Sequence, residues 1–94
     1  MLAAIADGPV SVTIDASHPV FQFYTGGVIS AGSDCGDLLT HAVTAVGYGT
    51  DTETALDYYL VRNSWGSDWG ASGYVKIERN GDGFGVCGIL RTNF

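Results

Sequence analysis

The sequence predicts a mainly β domain, an antiparallel open barrel of about five strands with one or two short helices. Several runs alternate apolar and polar residues with the period of two that a one-sided sheet requires. The chain carries 14 glycines, many of them placed as turn signals between those runs. No long helical pattern separates one strand from the next, so the crossovers of a parallel sheet are missing. At 94 residues this is a single domain, burying roughly 60 to 65% of the surface its unfolded chain exposes.

Residues 1–6 (MLAAIA) read as the end of a helix, stopped by Gly8 and Pro9 because proline lacks the next amide donor. That reading places Met1 inside an element that a longer sequence would begin. In PVSVTID (9–15), Val10, Val12 and Ile14 share one face of a strand, and Ser11, Thr13 and Asp15 share the other. Ser17 is placed to cap a short helix through HPVFQFY (18–24), with Pro19 in its first turn. Val20, Phe21 and Tyr24 form its inner face, and Gly26-Gly27 ends it. GVISAGSDCGDLLT (27–40) reads as loop with short extended pieces.

HAVTAVGYGT (41–50) is a strand of small and β-branched residues, expected to be central and covered on both faces. DTETALD (51–57) is an exposed acidic connection. YYLVRN (58–63) opposes Tyr58, Leu60 and Arg62 to Tyr59, Val61 and Asn63. SWGSDWGASG (64–73) is a glycine-rich loop, YVKIER (74–79) a third long strand, NGDG (80–83) a hairpin turn, and FGVCGIL (84–90) the returning strand.

Composition excludes several classes of function. The formal charge is −6, with Arg62, Lys76, Arg79 and Arg91 the only strong cations, so phosphate backbones and anionic membranes are repelled. No apolar run approaches the ~20 residues of a membrane-spanning helix, and MLAAIADGP lacks the basic region of a signal peptide. At 46% hydrophobic, the chain is rich enough in apolar residues for part of its surface to face a partner. Cys35 and Cys87, each beside a glycine, favour a disulfide contributing ~4 kcal/mol through its long loop. Two buried free thiols in a reducing compartment are the alternative.

Two histidines carry most of the chemical interest. His18, beside Pro19, is expected on the solvated surface. His41 opens the central strand among small neighbours, where an imidazole is held rigidly with one edge open for proton exchange near neutral pH. Asn63, at the end of the adjacent strand, offers an amide oxygen to the N–H of that ring and so selects its tautomer. Trp65 is the candidate indole cover for that bond, while Trp69 is expected to pack within its loop. The cysteines and histidines lack metal-ligand spacing, and Asn80 and Asp82 do not complete a calcium loop. GYG and GDGFG lack the strand-to-helix context and lysine of a phosphate loop, so no cofactor is expected.

THAVTAVGYG, then YYLVRNSWGSDWGASGYVKIER, then GVCGI, resembles the C-terminal half of the papain-like cysteine proteases of the cathepsin L and plant papain group. GPVSVTIDASHPVFQFYTGGV resembles the start of that half, so the likeness covers nearly the whole chain. It implies that residues 1–94 are the right, β-barrel domain, with His41 as general base and acid, Asn63 as its orienting group and Trp65 as catalytic support. It further implies that Thr13, Thr40, Ala42 and Thr92 line the pocket for the second substrate residue before the cut, and that Cys35 and Cys87 form a family disulfide. The parent would work in a lysosome or vacuole, or as a secreted enzyme.

The departures define the rest of the expectation. No CGSCW-like motif supplies the nucleophilic thiol, and the glutamine of the oxyanion hole is missing with it. Thr40 stands where some members have an acidic residue. The chain therefore reads as half a site, inactive without a left domain that brings the thiol, and with an uncovered face open to that domain or to self-association. A peptide is the substrate expected of the completed enzyme. The alternatives are a non-catalytic folding, binding or self-associating module derived from a protease half, and a small secreted domain binding a cationic ligand through its acidic surface.

Overall fold

The structure, a computed structural model, describes residues 8–30, 35, 41–79 and 86–89. Five strands form one sheet in the order β1-β3-β4-β5-β2. They are β1 (Val10–Ile14), β2 (Val28–Ile29), β3 (His41–Thr50), β4 (Asp57–Arg62) and β5 (Tyr74–Glu78). The three long pairings are antiparallel, and only the two-residue β2 runs parallel, beside β5. The sheet is open, with β1 and β2 at its edges. No helix among the described residues is long and apolar enough to cross a membrane.

Alternation along the strands decides which face is buried. Val10, Val12 and Ile14 of β1, Val43 and Ala45 of β3, Tyr59 and Val61 of β4, and Val75 and Ile77 of β5 all lie in the core. The register sets Val12 opposite Val43 and aligns Ala45, Val61 and Val75 in one row, so the apolar sets of adjacent strands meet on the same side. Between Ala45 and Gly47 the β3–β4 register shifts by a bulge, which increases local twist and bends the strand. The short helix α1 (Pro19–Gln22) closes over this core with Phe21 fully buried, Val20 packed against the cluster and Tyr24 just beyond the helix end.

Five expectations are corrected. Ser17 does not cap α1: its N–H and hydroxyl both donate to the Asp15 carboxylate, and the cap position falls on His18, whose side chain makes no capping bond. Asp15 is 1% exposed rather than solvated, because it sits past the end of β1 and binds Ser17 while His18 Nε2 approaches its other oxygen at 3.3 Å. His18 is accordingly tied to this buried carboxylate rather than simply solvated. β3 is buried on one side only, with Ala42 exposed and Thr44 half-buried on the other.

The last correction concerns the returning strand, of which only residues 86–89 are described. Val86–Gly88 form a 3-10 turn, and Cys87 sits at φ 56°, a conformation a strand residue does not adopt. Two constraints hold it there. The Asp15 N–H donates to the Cys87 carbonyl at 2.8 Å, and Cys87 is bonded to Cys35 across 52 positions of sequence, with a Cα–Cα distance of 4.9 Å. The disulfide thus ties the turn to the segment between β2 and β3. The helix expected at 1–6 and the turn expected at 80–83 lie outside the described residues.

Closing a loop of this length restricts the unfolded chain strongly, so replacing both cysteines by serine is expected to cost about 4 kcal/mol in urea unfolding. A loss below about 1 kcal/mol would show that the bridge does not carry that share of the stability.

Candidate active site

The site is assembled at one end of two neighbouring antiparallel strands. His41 is the first residue of β3 and Asn63 immediately follows β4, so the pairing that sets Thr44 opposite Arg62 brings the two together from 22 positions apart. Both fall on the strand faces that carry the core, His41 in step with Val43 and Asn63 in step with Val61. Asn63 is 5% exposed, and its backbone N–H donates to the Gly73 carbonyl at 2.9 Å. Gly73 has a φ of 90°, and a side chain there would place its Cβ 3.2 Å from the Gly66 carbonyl oxygen, so the return of the loop calls for glycine.

His41 Nε2 lies 2.7 Å from Asn63 Oδ1, and the backbone N–H of Ser64 donates to the same oxygen at 2.8 Å. The second bond settles the chemistry of the first. A backbone N–H needs an acceptor, so the atom facing it is the amide oxygen rather than the amide nitrogen. That oxygen cannot donate, and His41 Nε2 must therefore carry the proton. In the neutral ring the basic lone pair is left on Nδ1, which makes no hydrogen bond among the described residues. The Asn63 Nδ2 group is buried without a hydrogen-bond partner among the described residues.

Four aromatic rings brace the pair. Trp65 lies beside His41 with ring centroids 5.1 Å apart and planes tilted by 31°. Its indole is 43% exposed, so one side is open to solvent. Trp69 meets Trp65 edge-on at 5.4 Å, and Phe21 contacts both indoles, at 5.4 Å to Trp65 and 4.8 Å to Trp69. Tyr24 extends the cluster to 5.8 Å from Trp69, and burial pushes its phenol above the ordinary 10.0, partly offset by the Lys76 N–H that donates to it. Trp69 is fixed at its polar end by donating Nε1–H to the Gln22 carbonyl at 3.1 Å. Each such ring pair contributes about 0.5–1.5 kcal/mol beyond area burial.

Among the residues singled out from sequence, His41, Asn63 and Trp65 therefore come together. Thr13 of β1 pairs with Ala42 of β3, directly beside the Ile14–His41 pair, which puts those two at the edge of the site. Thr40 and Thr92 lie outside the described residues. Cys35 and Cys87 are joined and unavailable as nucleophiles. No group of three or more His, Cys, Asp or Glu residues placed to hold a metal occurs among the described residues. Sequence reasoning did not link Phe21 to the site, although its place with Val20 and Tyr24 on the inner face of the short helix made it a core residue. The Ser64 N–H left no signal in the side-chain pattern, because it is a backbone group.

Comparison with known proteins shows the family of the chain. The family model described as papain family cysteine protease matches residues 1–94. Cysteine protease 1 of Oryza sativa subsp. japonica is 53% identical over 87 residues, covering 92% of this chain and 17% of that protein. Macrodontain-1 of Ananas macrodontes is 49% identical over 93 residues, covering 98% of this chain and 40% of that protein. Among solved structures, the bromelain protease of Ananas comosus in complex with the E64 inhibitor superposes with a TM-score of 0.87 at 42% identity, over 96% of this chain and 40% of that one. The chain thus spans less than half the length of these relatives.

Because Phe21 supports both indoles from below, Phe21→Leu is expected to cost about 1 kcal/mol and to shift tryptophan emission to longer wavelength as Trp65 gains solvent. Unchanged emission in a folded Phe21→Leu protein would show that Phe21 does not hold the indoles in place.

Proposed function

The chain belongs to the papain family of cysteine proteases, and we propose that it is the right, β-rich half of such an enzyme, supplying the proton-transfer apparatus for peptide-bond hydrolysis. The observation that carries this reading is the 2.7 Å contact between His41 Nε2 and Asn63 Oδ1, which leaves Nδ1 free to meet a thiol. A left half, absent from these 94 residues, supplies the cysteine nucleophile and the oxyanion donors.

In the completed site His41 Nδ1 takes the thiol proton, giving a thiolate and imidazolium pair. The thiolate attacks the peptide carbonyl carbon, and the imidazolium then passes its proton to the departing amine as the acyl thioester forms. Water, deprotonated by the same nitrogen, hydrolyses the thioester and regenerates the thiol. Asn63 keeps the ring in register through both proton transfers, because its oxygen accepts from Nε2 whether the ring is neutral or charged. Trp65 limits the access of water to that bond and walls the leaving-group side. Thr13 and Ala42, with Thr40 and Thr92, line the pocket for the second substrate residue before the cut. An intact disulfide suits a lysosomal, vacuolar or secreted setting rather than the reducing cytosol.

A second reading, a self-associating module without catalysis, draws on the exposed Phe23, Tyr48 and Trp65 and on the open side of β3. The two readings part on activity. Joined to the complementary stretch of the Ananas comosus protease, this chain is expected to cleave peptides, and His41→Ala to lower kcat on the order of 10²–10⁴-fold. An inactive chimera, or one whose activity survives His41→Ala, would remove the catalytic reading.

A further inference from the structure

Asp15 carries a buried carboxylate that the proton transfers do not use. It is 1% exposed, and a side chain that only shaped the turn after β1 could be neutral, sparing the desolvation of a charge. Its contacts explain its place. One carboxylate oxygen accepts from the Ser17 N–H at 2.9 Å and from the Ser17 hydroxyl, and the other lies 3.3 Å from His18 Nε2. Asp15 thereby gathers the two residues that lead into α1. Pro19, which opens that helix, has no N–H of its own with which to be anchored.

The main chain of Asp15 is held from elsewhere. Its N–H donates to the Cys87 carbonyl at 2.8 Å, and its carbonyl oxygen lies 3.6 Å from Cys35 Sγ. One residue therefore joins the disulfide-tied part of the chain to the start of α1. A second tie on the same stretch runs from Gln22 Nε2, which donates to the Ala16 carbonyl at 3.3 Å.

α1 in turn sets the indoles. Phe21 meets both of them, and the Gln22 carbonyl receives the Trp69 Nε1–H. The ring contacts of Trp65 are with Phe21, Trp69 and His41, so two of its three neighbours are referred to α1 and the third is the reactive imidazole. A shift of α1 reaches His41 by that route. Proton transfer at Nδ1 depends steeply on aim, and a misplacement of about 1 Å can cost 10²-fold in rate. We infer that Asp15 is a positioning residue for the reaction. By holding Ser17 and His18 it fixes α1, and through Phe21 and the two indoles it fixes the plane of the His41 ring. The inference rests on the half-enzyme reading above.

The test is a double-mutant cycle in the same chimera, with kcat taken per site titrated by the E64 inhibitor so that unfolded protein does not count. Asp15→Asn keeps the size of the side chain and an acceptor for Ser17, and is expected to lower kcat about tenfold with KM within about twofold. Trp69→Phe, which removes the bond to the Gln22 carbonyl, is expected to act in the same direction. The double variant is expected to fall no further than the worse single one, because both changes break one route. Ile77→Val, a core loss whose register partners are Ile29 and Tyr59, is expected to leave kcat within about twofold. If Asp15→Asn does not fold, Ser17→Ala takes its place, with a fall of about threefold expected. An Asp15→Asn enzyme that loses thermal stability alone, an unchanged kcat in Ser17→Ala, or losses that multiply in the double variant would overturn the positioning role while the peptidase reading stands. A chimera inactive with Asp15 intact would instead overturn the peptidase reading, and the positioning role with it.

Discussion

One amide oxygen, Oδ1 of Asn63, accepts from a backbone N–H and from an imidazole at once, and the chemistry of this surface depends on that double acceptance. The Ser64 bond fixes which way the amide faces, and the amide then fixes which ring nitrogen keeps its proton. The Gly73 carbonyl holds the Asn63 backbone, and Gly73 itself sits in a conformation and a space that favour glycine. The glycine-rich loop after β4 is therefore the frame of the site as well as a connection. A β-carbon at position 73 would disturb the amide before it disturbed the sheet.

The same strands give the molecule two faces with different duties. On the inner face Val43, Ala45, Val61 and Val75 pack a core, which His41 and Asn63 extend at its open end. On the outer face Ser11, Thr44, Arg62 and Tyr74 form a polar row over a shallow cavity. Because side chains alternate along a strand, a one-residue slip between β3 and β4 would exchange Arg62 with Val61 and destroy both faces together. Disulfide, α1 and the aromatic cluster all act on the inner side.

Much of this was legible in the residues. The bounds of β3 followed from its β-branched and small composition, and the alternation of Tyr59, Val61 and Asn63 against Tyr58, Leu60 and Arg62 set the amide on one face with Val61, which the structure shows to be the core side. The His41–Asn63 contact followed from two strand ends that antiparallel pairing brings together. What escaped were outcomes set by partners distant in sequence. Asp15 looked like one more polar residue on the outward face of a strand, but the chain turns after Ile14 and the carboxylate is buried against Ser17 and His18. FGVCGIL has the composition of a strand, yet the bridge to Cys35 and the Asp15 N–H impose a turn at Cys87. Small residues on both sides of β3 implied cover on both sides, and within this chain only one is covered.

The most direct test of the account reads the protons on the imidazole ring. Nitrogen-15 shifts of the neutral His41 ring are predicted to show Nε2 protonated and Nδ1 bare in the native chain, with that bias lost in Asn63→Ala. A native ring protonated at Nδ1, or a tautomer ratio indifferent to Asn63, would contradict the claim that this amide aims His41 for catalysis.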